Sequence, residues 1–163
     1  MMSKKLNYIM YEGTFLTETP TYDQSINILR FHDPEQNEYT ILINRAFKVE
    51  NQTLEEFCEA QMNLMANSLP GFKNEGKMLK NEIGPAKLPV IQTANAFLEN
   101  GQPVKQVQTT VELPWHPTIN PARLNLMVFT LASQKEFNDY QRKHYVQIIN
   151  SFNPETSPLG ENE

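Results

Sequence analysis

The chain has 163 residues, with 14 Lys and Arg against 19 Asp and Glu, and a net charge of −5 at pH 7. This length suits one domain, the acidic balance argues against a nucleic-acid-binding protein, and no stretch has the apolar length of an export signal or a membrane span. We therefore expect a soluble cytoplasmic protein.

Three strands are predicted in the first third of the chain. Residues 6–15 are rich in Tyr, Ile, Met and Phe and predict a short first strand. Residues 24–32 and 39–47 predict the second and third strands. The turn between them, Asp-Pro-Glu-Gln-Asn, joins these two strands in a β-hairpin.

Side-chain alternation assigns the apolar residues of this hairpin to faces. Ile26 and Ile28 share one face of the second strand, and Ile41 and Ile43 share one face of the third. The reverse of each strand is also apolar, as Leu29 illustrates. Both faces of the hairpin are therefore expected to contact apolar partners.

The clearest helix begins after Thr53, whose side chain can cap the first turn. Glu56 can return a hydrogen bond to the backbone of Thr53, which makes a capping box. The helix is expected to end near Leu69, because Pro70 and Gly71 cannot continue it. An apolar stripe at helical spacing is formed by Leu54, Phe57, Cys58, Leu64 and Met65.

Two residues on this stripe bear on function. Cys58 is the only cysteine, so no intramolecular disulfide can form, and its apolar neighbours predict a buried, inert thiol. Gln61 lies within the stripe, where an unpaired amide costs about 1–3 kcal/mol. Either Gln61 bonds a neighbouring backbone group or lies at the stripe's edge, which is the commoner case for glutamine, or it hydrogen-bonds to a partner segment.

The second half of the chain predicts a second hairpin. Residues 72–83 fit no single element. Residues 90–98 and 104–113 predict two strands joined by an Asn-Gly turn. In the returning strand, valines alternate with polar residues that include Gln106 and Gln108.

A loop, a strand and a helix complete the prediction. Residues 114–121 contain three prolines and Trp115, and they predict a rigid loop. Residues 124–131 are nearly all apolar, which indicates a strand buried on both faces. Ser133 and Glu136 predict a second capping box, opening a helix that runs to about residue 152.

This order of elements predicts an α+β domain over residues 1–152, with an antiparallel sheet of about six strands and two main helices. Residues 153–163 are polar and acidic, which predicts a disordered tail. Two helices cannot easily cover both faces of such a sheet, so part of an apolar face should remain open. That face could be a partner or ligand site, or loops or a second subunit could cover it.

We expect neither an enzyme nor a bound metal or cofactor. His32, His116 and His144 lack the spacing with Cys, Asp or Glu that is typical of a metal site. The first two should be solvated, and His144 should pack on a helix face. The six glycines are scattered and form no phosphate-binding loop.

Three stretches resemble one protein family: the strand residues 24–31, the helix 53–65 with Gln61 embedded in it, and Pro-Gly-Phe at 70–72. In these stretches the chain is similar to the Eag (effector-associated) chaperones of type VI secretion. Those chaperones belong to the DcrB-like group and have a PsbP-like sandwich fold. The resemblance covers residues 6–152.

The resemblance implies a cytoplasmic homodimer that binds the hydrophobic N-terminal segments of one effector, often a PAAR- or Rhs-containing toxin. The chaperone would shield these transmembrane-type segments until the effector is loaded onto the secretion spike. Such segments pack through small residues and side-chain hydrogen bonds, so an apolar face with uncharged amides would suit them.

The resemblance also implies residue roles. Ile26 and Ile28 would line the client groove, Gln61 would contact the client, and either Gln106 or Gln108 would be a second groove glutamine. The full predicted client-binding set is Ile26, Ile28, Ile41, Ile43, Gln61, Gln106 and Gln108.

Three other functions remain open. A small-molecule or lipid-binding protein of the same fold would have a pocket closed by the 114–121 loop, with Trp115 in its wall. An enzyme would have a metal or a strongly shifted pKa in a cleft. A toxin immunity protein would bind a soluble toxin domain at the effector's C-terminus instead of its apolar N-terminus.

Overall fold

A computed structural model describes residues 5–155 and confirms the α+β fold. The predicted tail begins at residue 153, so all but its first three residues lie outside the described part. The described elements are β1 (Lys5–Ile9), β2 (Thr14–Glu18), β3 (Ile26–His32), β4 (Glu38–Phe47), α1 (Leu54–Ser68), β5 (Lys73–Asn74), β6 (Leu79–Ile83), β7 (Leu88–Glu99), β8 (Gln102–Glu112), β9 (Asn125–Ser133) and α2 (Asp139–Ser151).

Seven of these strands form one antiparallel sheet in the order β3-β4-β9-β8-β7, after which β5 and β6 both pair with β7. Strand β3 is therefore one edge of the sheet, and the short strands β5 and β6 form the other. Residues 72–83, which the sequence assigned to no single element, therefore contain the two short strands β5 and β6. Strands β1 and β2 pair with each other as a separate hairpin. The Tyr8 hydroxyl on β1 donates a hydrogen bond of 2.6 Å to the carboxylate of Asp23, which precedes β3.

Helix α2 packs on one face of the sheet, which we call the α2 face. Its Tyr145 and Ile149 are buried against Ile41, Val111 and Leu131 from three strands. This cluster is the larger of the two hydrophobic cores. Most of the apolar burial that stabilises the domain is therefore on this face.

Helix α1 packs on the opposite face, which we call the α1 face. Phe57 and Cys58 are buried there against Ile91 of β7 and Leu126 of β9. Burial raises the pKa of the Cys58 thiol above its usual value, and a hydrogen bond with Thr110 offsets only part of this rise. The predicted burial of Cys58 is confirmed.

The predicted start and end of α1 are confirmed. The Glu56 backbone N–H donates to Thr53 Oγ1 at 3.0 Å, and the Thr53 N–H donates to Glu56 Oε1 at 2.9 Å, so the capping box is complete. The helix ends at Ser68, one residue before Leu69. The assignment of Leu64 to the apolar stripe that packs on the sheet is wrong, because this side chain is 60% exposed.

The first strand was predicted as one element and is two. Met10 and Gly13 exchange backbone hydrogen bonds across a tight turn, and the chain reverses there. The apolar residues on either side therefore form the β1–β2 hairpin and not one continuous strand.

The predicted start of the second helix is also wrong. Ser133 is the last residue of β9, where it is opposite Lys105 in the β8–β9 ladder. Asn138 caps α2 instead, and Gln141 completes the capping box. Strand pairing holds Ser133 extended, so the capping motif with Glu136 does not form.

The proline-rich 114–121 loop folds around His116. This histidine is buried, so the expectation that it is solvated is wrong. Its Nδ1 accepts hydrogen bonds from the backbone N–H groups of Thr118 and Ile119, at 3.0 and 3.1 Å. Trp115 on the same loop is 52% exposed.

Gly84 lies in the turn between β6 and β7, with φ at +72°. A Cβ atom added at this position would lie 2.4 Å from the backbone oxygen of Phe152. The absence of a side chain therefore allows the end of α2 to dock on this turn.

Candidate binding face

The β3–β4 ladder decides which side chains share a face. Ile28 is opposite Leu42, and Leu29 is opposite Ile41. Because directly opposed residues point to the same side of a sheet, Ile26 and Ile28 lie with Leu42 on the α1 face. The predicted separation of Ile26 and Ile28 from Leu29 is confirmed.

Part of the α1 face is left open beside the helix. Ile26 is 60% exposed and Ile28 is 58% exposed, although both are large apolar side chains. Leu42 and Asn44 on the adjacent strand are half-buried. We call this surface the open face; its residues are Ile26, Ile28, Leu42, Asn44, Gln106 and Gln108.

Helix α1 forms one wall of the open face. Met62 faces away from it, because it lines a shallow cleft with Asn74 and Met78 at the β5–β6 edge. At 3.6 residues per turn, Leu64 lies roughly 160° around the helix from Met62, and Gln61 about 100° from it. The exposed residues Gln61 and Leu64 therefore border the side on which the open face lies.

The structure shows where Gln61 lies relative to the buried stripe of α1. The residue belongs to the same helical row as Phe57 and Leu64, but only Phe57 is buried. Its amide thus lies at the edge of the buried stripe and is accessible from solvent. This position leaves it available to a partner placed on the open face.

Both candidate glutamines of β8 lie on the open face. Gln108 is opposite Thr130, which is itself opposite Leu42, and Gln106 is two residues from Gln108 on the same strand. Gln108 is held at both ends of its amide: Asn95 Nδ2 donates to its Oε1, and its own Nε2 donates to Thr130 Oγ1, each at 3.4 Å. Gln106 is opposite Asn95 on one side and Ala132 on the other. Gln106 is therefore the better placed of the two to contact a ligand.

Asn95 is a polar residue of this region that the sequence reasoning missed. Its side chain is 1% exposed, and its Oδ1 has no hydrogen-bond partner among the described residues. An unpaired buried acceptor costs about 1–3 kcal/mol. An asparagine in the middle of a predicted strand was the available signal, because asparagine is depleted in strands.

Ile41 and Ile43 do not belong to the open face, so their assignment to the client-binding set is corrected. Ile41 is 0% exposed in the core beneath α2, and Ile43 packs against the same cluster. The β4 residue that points to the open face is Leu42. Alternation placed the two isoleucines on one side of β4 but did not identify the side.

Charge is sparse on the open face but not absent. Arg30 is on β3 in the same alternating row as Ile26 and Ile28, and it is exposed at the sheet edge. At the other end of the face, Lys48 and Glu112 form an ion pair of 2.9 Å beside the start of α1. The six residues that define the open face are aliphatic side chains and amides, and none of them is charged.

Other features of the described residues bear on the remaining functions. Within residues 5–155, no group of three or more His, Cys, Asp or Glu residues could hold a metal ion. Neither α1 nor α2 has the length and apolar character that a membrane crossing requires. His144 is packed as expected, with its Nδ1 at 2.8 Å from the Tyr39 hydroxyl.

The comparisons with known proteins identify a family. The model of the DcrB family matches residues 12–151. No curated protein sequence matches the chain. Among solved structures, a protein of unknown function from Pseudomonas aeruginosa is similar with a TM-score of 0.73 at 16% identity, covering 95% of this chain and 100% of its own.

A second solved structure supports the same fold at lower similarity. LpqN of Mycobacterium tuberculosis, which is involved in cell envelope biogenesis, has a TM-score of 0.50 at 15% identity. The match covers 82% of this chain and 79% of LpqN. At these identities both structures support the fold alone.

Proposed function

This chain belongs to the DcrB family, and from that premise we propose that it is a cytoplasmic, homodimeric chaperone of type VI secretion. In this proposal it binds the hydrophobic N-terminal segments of one effector, such as a PAAR- or Rhs-containing toxin. It shields these transmembrane-type segments from water until the effector is loaded onto the spike.

The observation that supports this proposal best is the exposure of Ile26 and Ile28 on a sheet face that also carries uncharged amides. Monomeric soluble proteins rarely leave such apolar surface contiguous unless it contacts a partner. Burying one large aliphatic side chain contributes about 1.5–3 kcal/mol, so both together favour association strongly. A client with apolar helices would bury them.

The amides supply what an apolar surface alone would lack. Transmembrane helices associate through close packing and side-chain hydrogen bonds, because apolar contact does not distinguish one helix from another in lipid. Gln61 and Gln106 can donate and accept such bonds without the desolvation cost of a charge. Arg30 lies at the rim, where its guanidinium can stay in water while its methylenes cover apolar surface.

The test is co-expression with the effector encoded beside this gene, in its full-length form and without its N-terminal hydrophobic region. We expect the full-length effector to co-purify and the truncated form to be lost. Equal recovery of the truncated form would contradict the proposal and indicate an immunity protein, which binds the toxin domain. Recovery of neither form would also contradict it and favour a small-ligand-binding protein.

A further inference from the structure

Helix α1 is anchored to the sheet in its first half only. Phe57 and Cys58 are buried against the sheet. Among residues 59–68, all of which the structure describes, none is buried; Met62 and Met65 are half-buried, and the others are exposed. Because the burial of an apolar face is what holds a short helix in place, the second half of α1 is held less firmly than the first.

Asn95 lies beneath this second half. Helix α1 contacts β7, first at Ile91, on which Phe57 packs. Just after the helix, the Leu98 N–H donates to the Pro70 carbonyl at 2.8 Å, so the helix and the strand run side by side in the same direction. Asn95 is four residues past Ile91 on the same side of β7, about 13 Å along the strand. This length corresponds to about nine helical residues past Phe57, so Asn95 lies under the last turns of the helix.

One end of the Asn95 amide has no partner. The side chain is 1% exposed, its Nδ2 donates to Gln108 Oε1 at 3.4 Å, and within residues 5–155 its Oδ1 accepts no hydrogen bond. The chain of bonds can also run in reverse, with the Thr130 hydroxyl donating to Gln108 and Gln108 to Asn95, but Asn95 Nδ2 then lacks a partner instead. Buried polar groups are nearly always paired, so this half-paired amide indicates a partner that comes from outside the fold.

The side of α1 that faces away from the open face has room for movement. A shallow cleft of about 590 Å³ separates the helix from the β5–β6 edge, and Met62 and Met78 are among the residues that line it. Methionine side chains are unbranched and flexible, so they adapt to a changed shape at low cost. The second half of α1 can therefore tilt into this cleft, which uncovers Asn95 on the side of the open face.

We propose that Asn95 is a further client-binding residue, which the second half of α1 covers in the free protein and uncovers when a client binds. The client contributes a neutral hydroxyl or amide side chain, which bonds to the unpaired end of the Asn95 amide. The inference rests on the proposed function and extends it by naming a polar group that the client's apolar segment carries.

The chemistry of the site favours a neutral client group over a charged one. A carboxylate or an ammonium would lose its water there, and the amides of Asn95 and Gln108 carry no charge to compensate it. The side chains of serine, threonine, asparagine and glutamine both donate and accept, so they fit either direction of the chain of bonds. Transmembrane-type helices use such groups when they associate.

The first experiment compares Asn95→Leu with the matched control Gln92→Met, each of which replaces an amide with an apolar side chain of similar shape. Gln92 is half-buried on the same strand but on the α2 face, where its Nε2 donates to Thr109 Oγ1 at 3.3 Å. By titration calorimetry, we expect Asn95→Leu to bind the effector's N-terminal region roughly five- to tenfold more weakly, the loss of one hydrogen bond. Gln92→Met should bind it as the wild type does.

Urea denaturation of the free protein separates a binding role of Asn95 from a structural one. Because one end of the amide is unpaired, its removal should leave the urea midpoint of Asn95→Leu unchanged or raise it. Wild-type affinity in Asn95→Leu, or an equal loss of affinity in Gln92→Met, would overturn the inference. If Asn95→Leu does not fold, Asn95→Ala needs no additional space and carries the same expectation for binding.

The second experiment follows the helix and leaves Asn95 in place. Spin labels on N67C and Q147C measure the distance between the second half of α1 and α2, and the control pair E55C and Q147C measures it for the first half; all three positions are exposed. When the effector's N-terminal region binds, we expect the first distance to change by about 3 Å, the room that one hydrogen-bonding group requires. The control distance should stay constant. A first distance that also stays constant would overturn the inference.

A client variant distinguishes failure of the inference from failure of the proposed function. In this variant, alanine or leucine replaces the serine, threonine, asparagine and glutamine residues of the effector's apolar segment. We expect the wild type and Asn95→Leu to bind it equally. If Asn95→Leu still binds it more weakly, the client does not supply the polar group and the inference is wrong, while the chaperone proposal stands. A wild type that does not bind the unaltered N-terminal region would refute both.

Discussion

The two faces of the sheet use the same residue types for different purposes. On the α2 face, large aliphatic side chains such as Ile41 are fully buried, and polar groups are paired: the Tyr145 hydroxyl donates to the Phe129 carbonyl at 2.8 Å and contacts Thr109 Oγ1 at 2.5 Å. Burial raises the pKa of Tyr145 well above its ordinary value. On the α1 face, Ile28 is exposed, and Asn95 Oδ1 has no hydrogen-bond partner within residues 5–155.

This difference indicates that the α2 face stabilises the fold and that the open part of the α1 face is available to bind a partner. The part of the α2 face beneath the helix has little left to gain from a ligand, because its large side chains, such as Ile41, Val111 and Leu131, are buried. The open part of the α1 face retains both unburied apolar area and unused hydrogen-bonding capacity. A residue's effect on folding or on association should therefore follow from the face to which it points.

The largest expected effect is on the α2 face. Ile41→Ala removes buried methyl groups and leaves a cavity, so we expect the free energy of unfolding to fall by about 2–5 kcal/mol. Ile28→Ala should change it by less than about 0.5 kcal/mol, because the side chain is exposed. Urea denaturation of both variants measures this, and equal losses would contradict the assignment of the two faces.

The next effect is on the α1 face. The double variant Ile26→Asp, Ile28→Asp replaces two apolar contacts with carboxylates that an apolar client cannot solvate. We expect the affinity for the effector's N-terminal region to fall by about 3 kcal/mol, roughly 100-fold in Kd. The matched control is Leu79→Asp, an equally exposed aliphatic residue at the other sheet edge. Unchanged effector recovery by the folded double variant would refute the site.

A smaller effect distinguishes the two glutamines of the open face. Gln106→Ala should weaken effector binding by about 1 kcal/mol, roughly fivefold, and leave the stability unchanged. Gln108→Ala should instead lower the stability by about 1 kcal/mol, because Asn95 Nδ2 and the Thr130 hydroxyl lose their partner. Titration calorimetry and urea denaturation separate these results, and the reverse assignment would show that Gln108 is the contact.

The smallest effect concerns the junction between the β3–β4 turn and α2. Burial of Asp33 would raise its pKa, but hydrogen bonds from the Asn37 backbone and from the side chains of Asn138 and Asn37 hold it below its usual range. Because the folded-state pKa is lowered, this stabilisation is present at neutral pH and is lost as the pH falls through the folded-state value.

Melting temperatures test this at pH 7 and pH 3. Asp33→Asn should melt lower than the wild type at pH 7, because it substitutes an amide for a carboxylate that accepts bonds from Asn138 at 2.6 Å and Gln141 at 3.3 Å. The difference should narrow at pH 3, because the pKa of Asp33 is lower in the folded state than in the unfolded chain, and the unfolded chain therefore takes up the proton first as the pH falls. A difference that is constant over this range would exclude the titration of Asp33 as its cause.

Much of the fold followed from local pattern. The capping box at Thr53 and the hairpin turn at Asn100–Gly101 depend on residues close together in the chain, and both are present. The predicted start of α2 was wrong because two capping motifs are possible, one at Ser133 and one at Asn138. The β8–β9 ladder, a long-range interaction, keeps Ser133 extended, and the helix therefore begins after Asn138. A single sequence does not contain that ladder's register.

The candidate site was predictable to a more limited degree. Alternation identified Ile26 and Ile28 as a pair and Ile41 and Ile43 as another, but which pair α2 covers depends on tertiary packing. The buried Asn95 was missed for the same reason, because its importance comes from its neighbours on β8. Local sequence therefore defined sets of side chains, and the cross-strand register assigned the sets to faces.

The turn at Gly84 has a consequence for how far the sequence can vary. Even one methyl group there would meet the Phe152 backbone oxygen, which cannot rotate away as a side chain can. Gly101 also has a positive φ, of 77°, but nothing lies within 4 Å of an added Cβ. In a saturation library, position 101 should accept asparagine or aspartate, whereas position 84 should accept glycine alone.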